Sequence, residues 1–249
     1  NASNALIEAA KQLEIKLFRI DNATPQNQLL IKSLPLSSVC SIEENKGDDF
    51  CLILHTSGTT SRPKQVQLSC TNIISSAFNI SSVLKLEQSD KGLNIMPLFH
   101  IHGLIASLLS SIITGASLVC TNGFNALTFY GNIKNFKPTW ITAVPTMYQA
   151  ILSRASRNKE IIETTNLRLL RSSSAAMPVA TIEALENVFQ CPVIEAYGMT
   201  EASHQMASNF LDSIRKAGSV GKSAGPEIAI LKDYKLTNLA NTVGEIVIK

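Results

Sequence analysis

"LNIMPLFHIHGLIASLLSSIITGASLVC", Leu93 to Cys120, reads as one strand–helix–strand step. Leu93–Met96 is a short apolar run stopped by Pro97, which has no N–H to give to a sheet ladder. Ile101–Ile113 carries a helical pattern, Gly115 breaks it, and Ser117–Cys120 is a second short apolar run. Gly103–Cys120 has no charged residue. Its five Ser or Thr residues and two glycines mark a buried helix followed by a buried strand rather than a membrane span.

The same step recurs on both sides. Leu52–Leu54 is a strand candidate, and Ser69 caps a helix that runs to about Leu84. Ala126–Phe136 is helical and closed by Pro138. Trp140–Val144 is a strand ended by Pro145, with Thr146 capping the next helix. Leu167–Arg171 is a strand, Val179–Phe189 a helix after Pro178, and Val193–Ala196 a strand. Such alternation predicts an α/β fold with a mostly parallel sheet flanked by helices on both faces. After about Arg215 the pattern turns to glycines and short alternating strands, the start of a small β subdomain. The expected organisation is a partial N-terminal α/β segment over 1–48, an α/β subdomain over 49–215 and the beginning of a β subdomain over 216–249. Within the first, "NALIEAAKQLEI" (4–15) predicts a helix and "DNATPQNQ" (21–28) a loop.

Composition excludes several classes. Apolar residues make up 45% of the 249, enough for a sizeable core. The 22 basic residues are scattered with no run of four, and a net charge of +3 gives no basic stripe for nucleic acid. The five cysteines (40, 51, 70, 120 and 191) form no Cys-x-x-Cys pair. That argues for a reduced, cytoplasmic chain and against a disulfide framework or zinc site.

Polar clusters follow the predicted strands: His55–Lys64, Pro97–His102, Pro145–Thr146, Ser172–Ser174 and Tyr197–Glu201. Open parallel sheets bind ligands outside the carboxyl ends of their strands, so five clusters on one rim predict a shared site. "LHTSGTTSRPK" (54–64) offers hydroxyls at Thr56, Ser57, Thr59 and Thr60, a close backbone approach at Gly58 and a cation at Lys64, all suited to phosphate oxygens. Pro63 before Lys64 and Gln65 after it rule out a Walker A loop. In "YGMTEASH", Thr200 can donate to a phosphate and Tyr197 offers a flat face to a base. Glu201 reads either as an oxygen ligand for Mg²⁺ or as an ordinary first-turn helix charge. His100 and His102 point to opposite sides if the chain there is extended, which disfavours a shared metal.

Taken in order, "LHTSGTTSRPK", "PLFHIHGL" and "YGMTEAS" resemble the signature segments of the adenylate-forming (acyl-CoA synthetase, AMP-binding) superfamily, over roughly Leu52 to Lys249. "TSRPK", "TAVPT", "LRLLRSSSA" and "EAYGMTEASH" are similar to the oxalate–CoA ligase type within it. The resemblance implies a ligase that uses ATP and Mg²⁺ to adenylate a carboxylate and then passes the acyl group to CoA. It implies that Thr56, Ser57, Gly58, Thr59, Thr60 and Lys64 cradle the β- and γ-phosphates. Ser174, Ala175 and Ala176, with Glu195, Ala196 and Tyr197, would frame the adenine. Thr200 would meet the α-phosphate, Glu201 would hold Mg²⁺, and His100 would stand by the carboxylate and the thiol channel.

Two positions depart from the usual family pattern: Ser61 and Gln65 stand where most members have Gly. Members of the family also continue past "GEIVIK" into a mobile C-terminal domain, so the chain resembles an internal slice with little expected turnover of its own. Ser174 and His204 fall where the motifs converge beside His100, and such donors suit a second carboxylate. The expected substrate is a small dicarboxylate such as oxalate. The alternatives are a medium-chain fatty acyl-CoA synthetase and a non-catalytic nucleotide-binding module.

Overall fold

The computed structural model describes residues 46–56 and 63–249, together with Glu8, Lys11 and Gln12. The chain divides into two compact units, Asn1–Glu44 and Asn45–Lys249. Glu8, Lys11 and Gln12, in the first unit, are helical and exposed. The predicted loop at 21–28 and the phosphate-loop residues Ser57, Gly58, Thr59, Thr60 and Ser61 lie outside the described residues.

The second unit opens with a ribbon that the sequence reading did not resolve. β1 (Phe50–Thr56) pairs antiparallel with β2 (Lys64–Ser69), in a sheet separate from the main one. The cause is a period of two: Val66 and Leu68 are buried while Gln65 and Gln67 are exposed. The strand at 52–54 therefore does not begin the parallel sheet, and the segment 57–62 joins the two strands of the ribbon. Gln65 lies on β2 opposite His55, and Lys64 lies opposite Thr56.

Ser69 ends β2 and caps α1 (Cys70–Leu84), as expected. Its hydroxyl accepts the Asn72 N–H at 3.2 Å, and the Asn72 side chain accepts the Ser69 N–H at 3.0 Å. After β3 (Lys91–Asn94) comes α2, a π-helix over His102–Leu109 continued by an α turn over Ser110–Ile112. β4 (Ser117–Cys120), α3 (Phe129–Phe136), β5 (Trp140–Ala143), α4 (Pro145–Leu152), α5 (Lys159–Glu163), β6 (Leu169–Ser172), α6 (Val179–Phe189) and β7 (Val193–Met199) follow. Thr146 does not cap α4: Val144 is the N-cap, with no side-chain cap bond, and Pro145 occupies the first turn.

The main sheet has seven strands in the order β4-β3-β5-β6-β7-β8-β9, where β8 is His204–Ser208 and β9 is Lys222–Ser223. The first five are parallel; β8 and β9 add antiparallel at the other end. A separate three-stranded sheet, β10 (Ile228–Lys232), β11 (Lys235–Thr237) and β12 (Glu245–Ile248), follows. Strand alternation sorts the core into two layers. Ile141, Leu170 and Val193 face α3, α4 and α6, where Tyr130, Tyr148 and Leu185 are buried. Trp140, Leu169 and Ile194 face α1 and α2, where Ile80, Leu84 and Ile105 are buried. No helix among the described residues is long and apolar enough to cross a membrane.

Candidate functional site

The carboxyl ends of the parallel strands converge on a cleft of about 300 Å³ lined by His100, His102, Val144, Ser174, Thr200 and His204 among others. Three of the five predicted polar clusters, Pro97–His102, Ser172–Ser174 and Tyr197–Glu201, thus contribute to one rim; from the end of β5 it is Val144, not Pro145 or Thr146, that lines it. The chain after Pro97 is not extended. It turns, with the His100 N–H donating to the Pro97 carbonyl at 3.2 Å, and enters the π-helix at His102. His100 and His102 therefore line the same cleft instead of facing apart. π-Helical turns are rare and concentrate at functional sites. Gly103 makes this one possible, because a Cβ there would overlap the Pro97 carbonyl oxygen.

Behind the cleft lies a buried polar network that the sequence reading missed. His102 bridges two hydroxyls, with Nδ1 3.0 Å from Ser174 Oγ and Nε2 2.7 Å from Thr142 Oγ1. Arg171 Nη1 donates to the same Thr142 oxygen at 3.3 Å. Its Nη2 reaches His204 Nε2 at 3.3 Å and Gln205 Oε1 at 3.1 Å. Thr142 and Arg171 are register partners on neighbouring strands β5 and β6, so both project toward α2. The His102 and His204 rings stack at 5.0 Å with planes 30° apart. Arg171 is fully buried, and among the described residues no carboxylate lies within ion-pair distance of it. Burial pushes its pKa down to about 10, which still leaves it protonated at neutral pH. Burial first, then the Arg171 charge, holds both His102 and His204 well below the usual imidazole value near 6.5, so both rings are neutral.

Backbone geometry supports the same rim. Ser174 and His204 have positive φ, 73° and 90°, which is strained for residues with a Cβ. A bulge between Tyr197 and Gly198 in the β7–β8 pairing brings Gly198 against the His204 carbonyl, where a Cβ would overlap it.

The remaining predicted residues are more dispersed. Ala175 and Ala176 are exposed beside Ser174, Ala196 is buried in β7 and Tyr197 is half-buried. The Glu195 carboxylate is occupied by the Gly218 N–H at 2.9 Å and borders a separate small cavity with Asn209, Arg215 and Lys216. Burial raises its pKa, partly offset by the Gly218 and Met177 N–H groups. Glu201 is exposed in the 3₁₀ turn Thr200–Ala202 and borders a different cavity from Thr200, one shared with Gln67, Asn72 and Ile248. It forms no ion pair among the described residues. Those residues contain no group of three metal-ligating side chains. Thr56 and Lys64 face each other where the ribbon leads into 57–62.

Motif order, a parallel sheet with antiparallel additions, and a donor-lined cleft at the strand ends define the adenylate-forming class. The family described as "AMP-binding enzyme" matches residues 2–249, and the chain belongs to that family. It is 47% identical to an oxalate–CoA ligase of Arabidopsis thaliana over 82% of its length and 42% identical to an oxalate–CoA ligase of Saccharomyces cerevisiae over 82%. It spans 40% and 37% of those relatives, less than half of either. Among solved structures, it superposes on an anthranilate–CoA ligase bound to anthranoyl-AMP with a TM-score of 0.73 and 30% identity, covering 82% of this chain and 39% of that one.

Proposed function

We propose that the full-length protein is an AMP-forming acid–CoA ligase whose acid is a small dicarboxylate such as oxalate. One observation carries the choice of acid. Among the apolar side chains of Met96, Ile101, Val144 and Met199, the cleft carries two hydroxyls and three imidazoles backed by a buried guanidinium, donors for which a fatty-acyl chain has no use. The names of the oxalate–CoA ligase relatives support the same choice.

In this reading Ser174 and His204 hold the distal carboxylate. The other carboxylate, oriented beside His100, attacks the α-phosphorus of ATP, and the bond to pyrophosphate breaks. Thr200 donates to the α-phosphate. Thr56, Ser57, Gly58, Thr59, Thr60 and Lys64 hold the departing pyrophosphate. Ser174, Ala175, Ala176, Glu195, Ala196 and Tyr197 frame the adenine. Glu201 would hold Mg²⁺, which offsets phosphate charge when bound. The CoA sulfur, entering past His100, then takes the acyl group and AMP leaves. Residues 216–249 begin a β subdomain. The free thiols of Cys51, Cys70, Cys120 and Cys191 support a reducing, cytoplasmic location.

The test is pyrophosphate release by the full-length protein with oxalate, acetate and octanoate. Oxalate should give the highest kcat/KM. Octanoate activated far better than oxalate would overturn the choice of acid, and no release with any acid would overturn the ligase itself.

A further inference from the structure

We propose that Arg171 is a positioning residue that fixes the direction of two hydrogen-bond chains, so that both present protons to the cleft and select a dianionic acid. The inference rests on the reading of that cleft as the acid-binding site.

A guanidinium has N–H donors and no acceptor, so each of its contacts has a set direction. Toward His204, Arg171 Nη2 donates and Nε2 must offer its lone pair. The ring is neutral, so its proton sits on Nδ1. The second chain is longer. Arg171 Nη1 donates to Thr142 Oγ1. Thr142 is fully buried, and its other partner is His102 Nε2, so the hydroxyl proton goes there. The His102 proton is then on Nδ1 and is donated to Ser174 Oγ. Ser174 has accepted, and its own proton remains for the cleft.

Both chains start at one cation and run outward. One ends on the His204 imidazole and the other on the Ser174 hydroxyl, two residues that line the same cleft. A ligand group facing these ends meets donors. A carboxylate satisfies them, whereas a methyl group leaves them unpaired, and at the buried His204 this costs a polar group without a partner. The charge of Arg171 itself stays behind the chains. Its Nε has no partner among the described residues, and no carboxylate there neutralises it, so the network carries a net positive charge that an anion in the cleft would balance.

The test combines kinetics with ¹⁵N spectra of the histidines in the full-length protein. R171M should raise the KM for oxalate roughly tenfold or more, with the KM for ATP unchanged. T142V removes one hydroxyl from one chain at nearly constant volume and should raise it by a smaller factor. R171M/T142V should be no worse than R171M, since both act on one chain of bonds. In the parent protein at pH 7.5, His102 and His204 should both show the Nδ1–H tautomer, and R171M should release His204 from it. If R171M fails to fold, T142V and the parent spectra still decide the matter. A parent protein that prefers oxalate over acetate while both variants keep the oxalate KM within about twofold would overturn the role of Arg171 and leave the site reading standing. A parent protein without that preference would overturn the site reading. The relay would then stand or fall on the spectra, and an Nε2–H tautomer at His204 would end it.

Discussion

Replacing Arg168 with Met should destabilise the protein by about 3 kcal/mol, the lower end of the range for stripping the partner from a buried charge. The side chain of Asp90 is 3% exposed and holds four donors. These are Arg168 Nε at 3.1 Å and Nη2 at 2.6 Å, the Thr139 hydroxyl at 2.7 Å and the Glu87 N–H at 3.0 Å. Burial alone would raise the Asp90 pKa; the Arg168, Thr139 and Glu87 donors outweigh burial and hold it below the ordinary value. Arg168 also donates to the Leu84 and Lys85 carbonyls at the end of α1. The clip thus ties that helix to the amino ends of β3, β5 and β6, on the rim opposite the cleft. The Arg168 side chain is 30% exposed, which favours the lower end of the range. For a unit of this size the loss corresponds to a fall in Tm of about 6–12 °C. Trp140, the single tryptophan and fully buried, reports unfolding in urea by its fluorescence. Pairing R168M with D90N removes the stranded charge and should recover at least about 1 kcal/mol relative to R168M. The sign with pH follows from the lowered folded pKa. The stabilisation is full above the unfolded value of 3.8 and is lost as pH falls through the folded one, so R168M should flatten the acid limb. An R168M protein within about 0.5 kcal/mol of the parent, with strictly additive double-mutant energies, would show that water screens the pair and refute the reasoning.

Acid should weaken the fold well before carboxylates titrate. His102 and His204 resist protonation in the folded state, so below about 6.5 the unfolded chain binds more protons. Stability, full above that pH, should fall by up to about 1.4 kcal/mol per pH unit for each ring. Melting curves between pH 5 and 8 check this, and a flat Tm through that window would contradict it. G198A should cost about 3 kcal/mol through overlap with the His204 carbonyl. It should also abolish selection of oxalate, readable as Tm and as the oxalate-to-acetate ratio of kcat/KM.

Legibility in the sequence followed the strength of local signals. Val179–Phe189 matches its helix at both ends because Pro178 marks the start, and Ser117–Cys120 is bounded just as sharply by Gly115 and the chain that follows. The β1–β2 ribbon was lost because "KQVQLS" is a weak alternating run squeezed between a polar loop and a helix cap. β8 was lost because the turn into "HQMAS" is made by positive φ at Ser203 and at His204, the strand's first residue, and nothing in side-chain chemistry advertises a sharp return there. The rim of the site was legible, since His100, Ser174, Thr200 and His204 came from motifs that share strand ends. Its supporting layer was not. An Arg at the end of an apolar strand reads as a solvated charge, and only the Thr142–Arg171 register shows it turned inward.

The π-helix that carries His102 has an implication for how the cleft tolerates change in chain length. An i→i+5 ladder, seen where the Ser110 N–H reaches the Ile105 carbonyl, fits one more residue into each turn than an α-helix does. Deleting one residue between 104 and 108 would let the ladder relax to α spacing. An α segment one residue shorter winds nearly as far as the π segment it replaces, so the two ends would keep nearly their present orientation. With Ser110 and Ser111 anchored by their own buried side chains, winding every residue present as α would instead turn the imidazole end by roughly 100° or more. The π winding that takes up the extra residue is therefore a determinant of where that imidazole points.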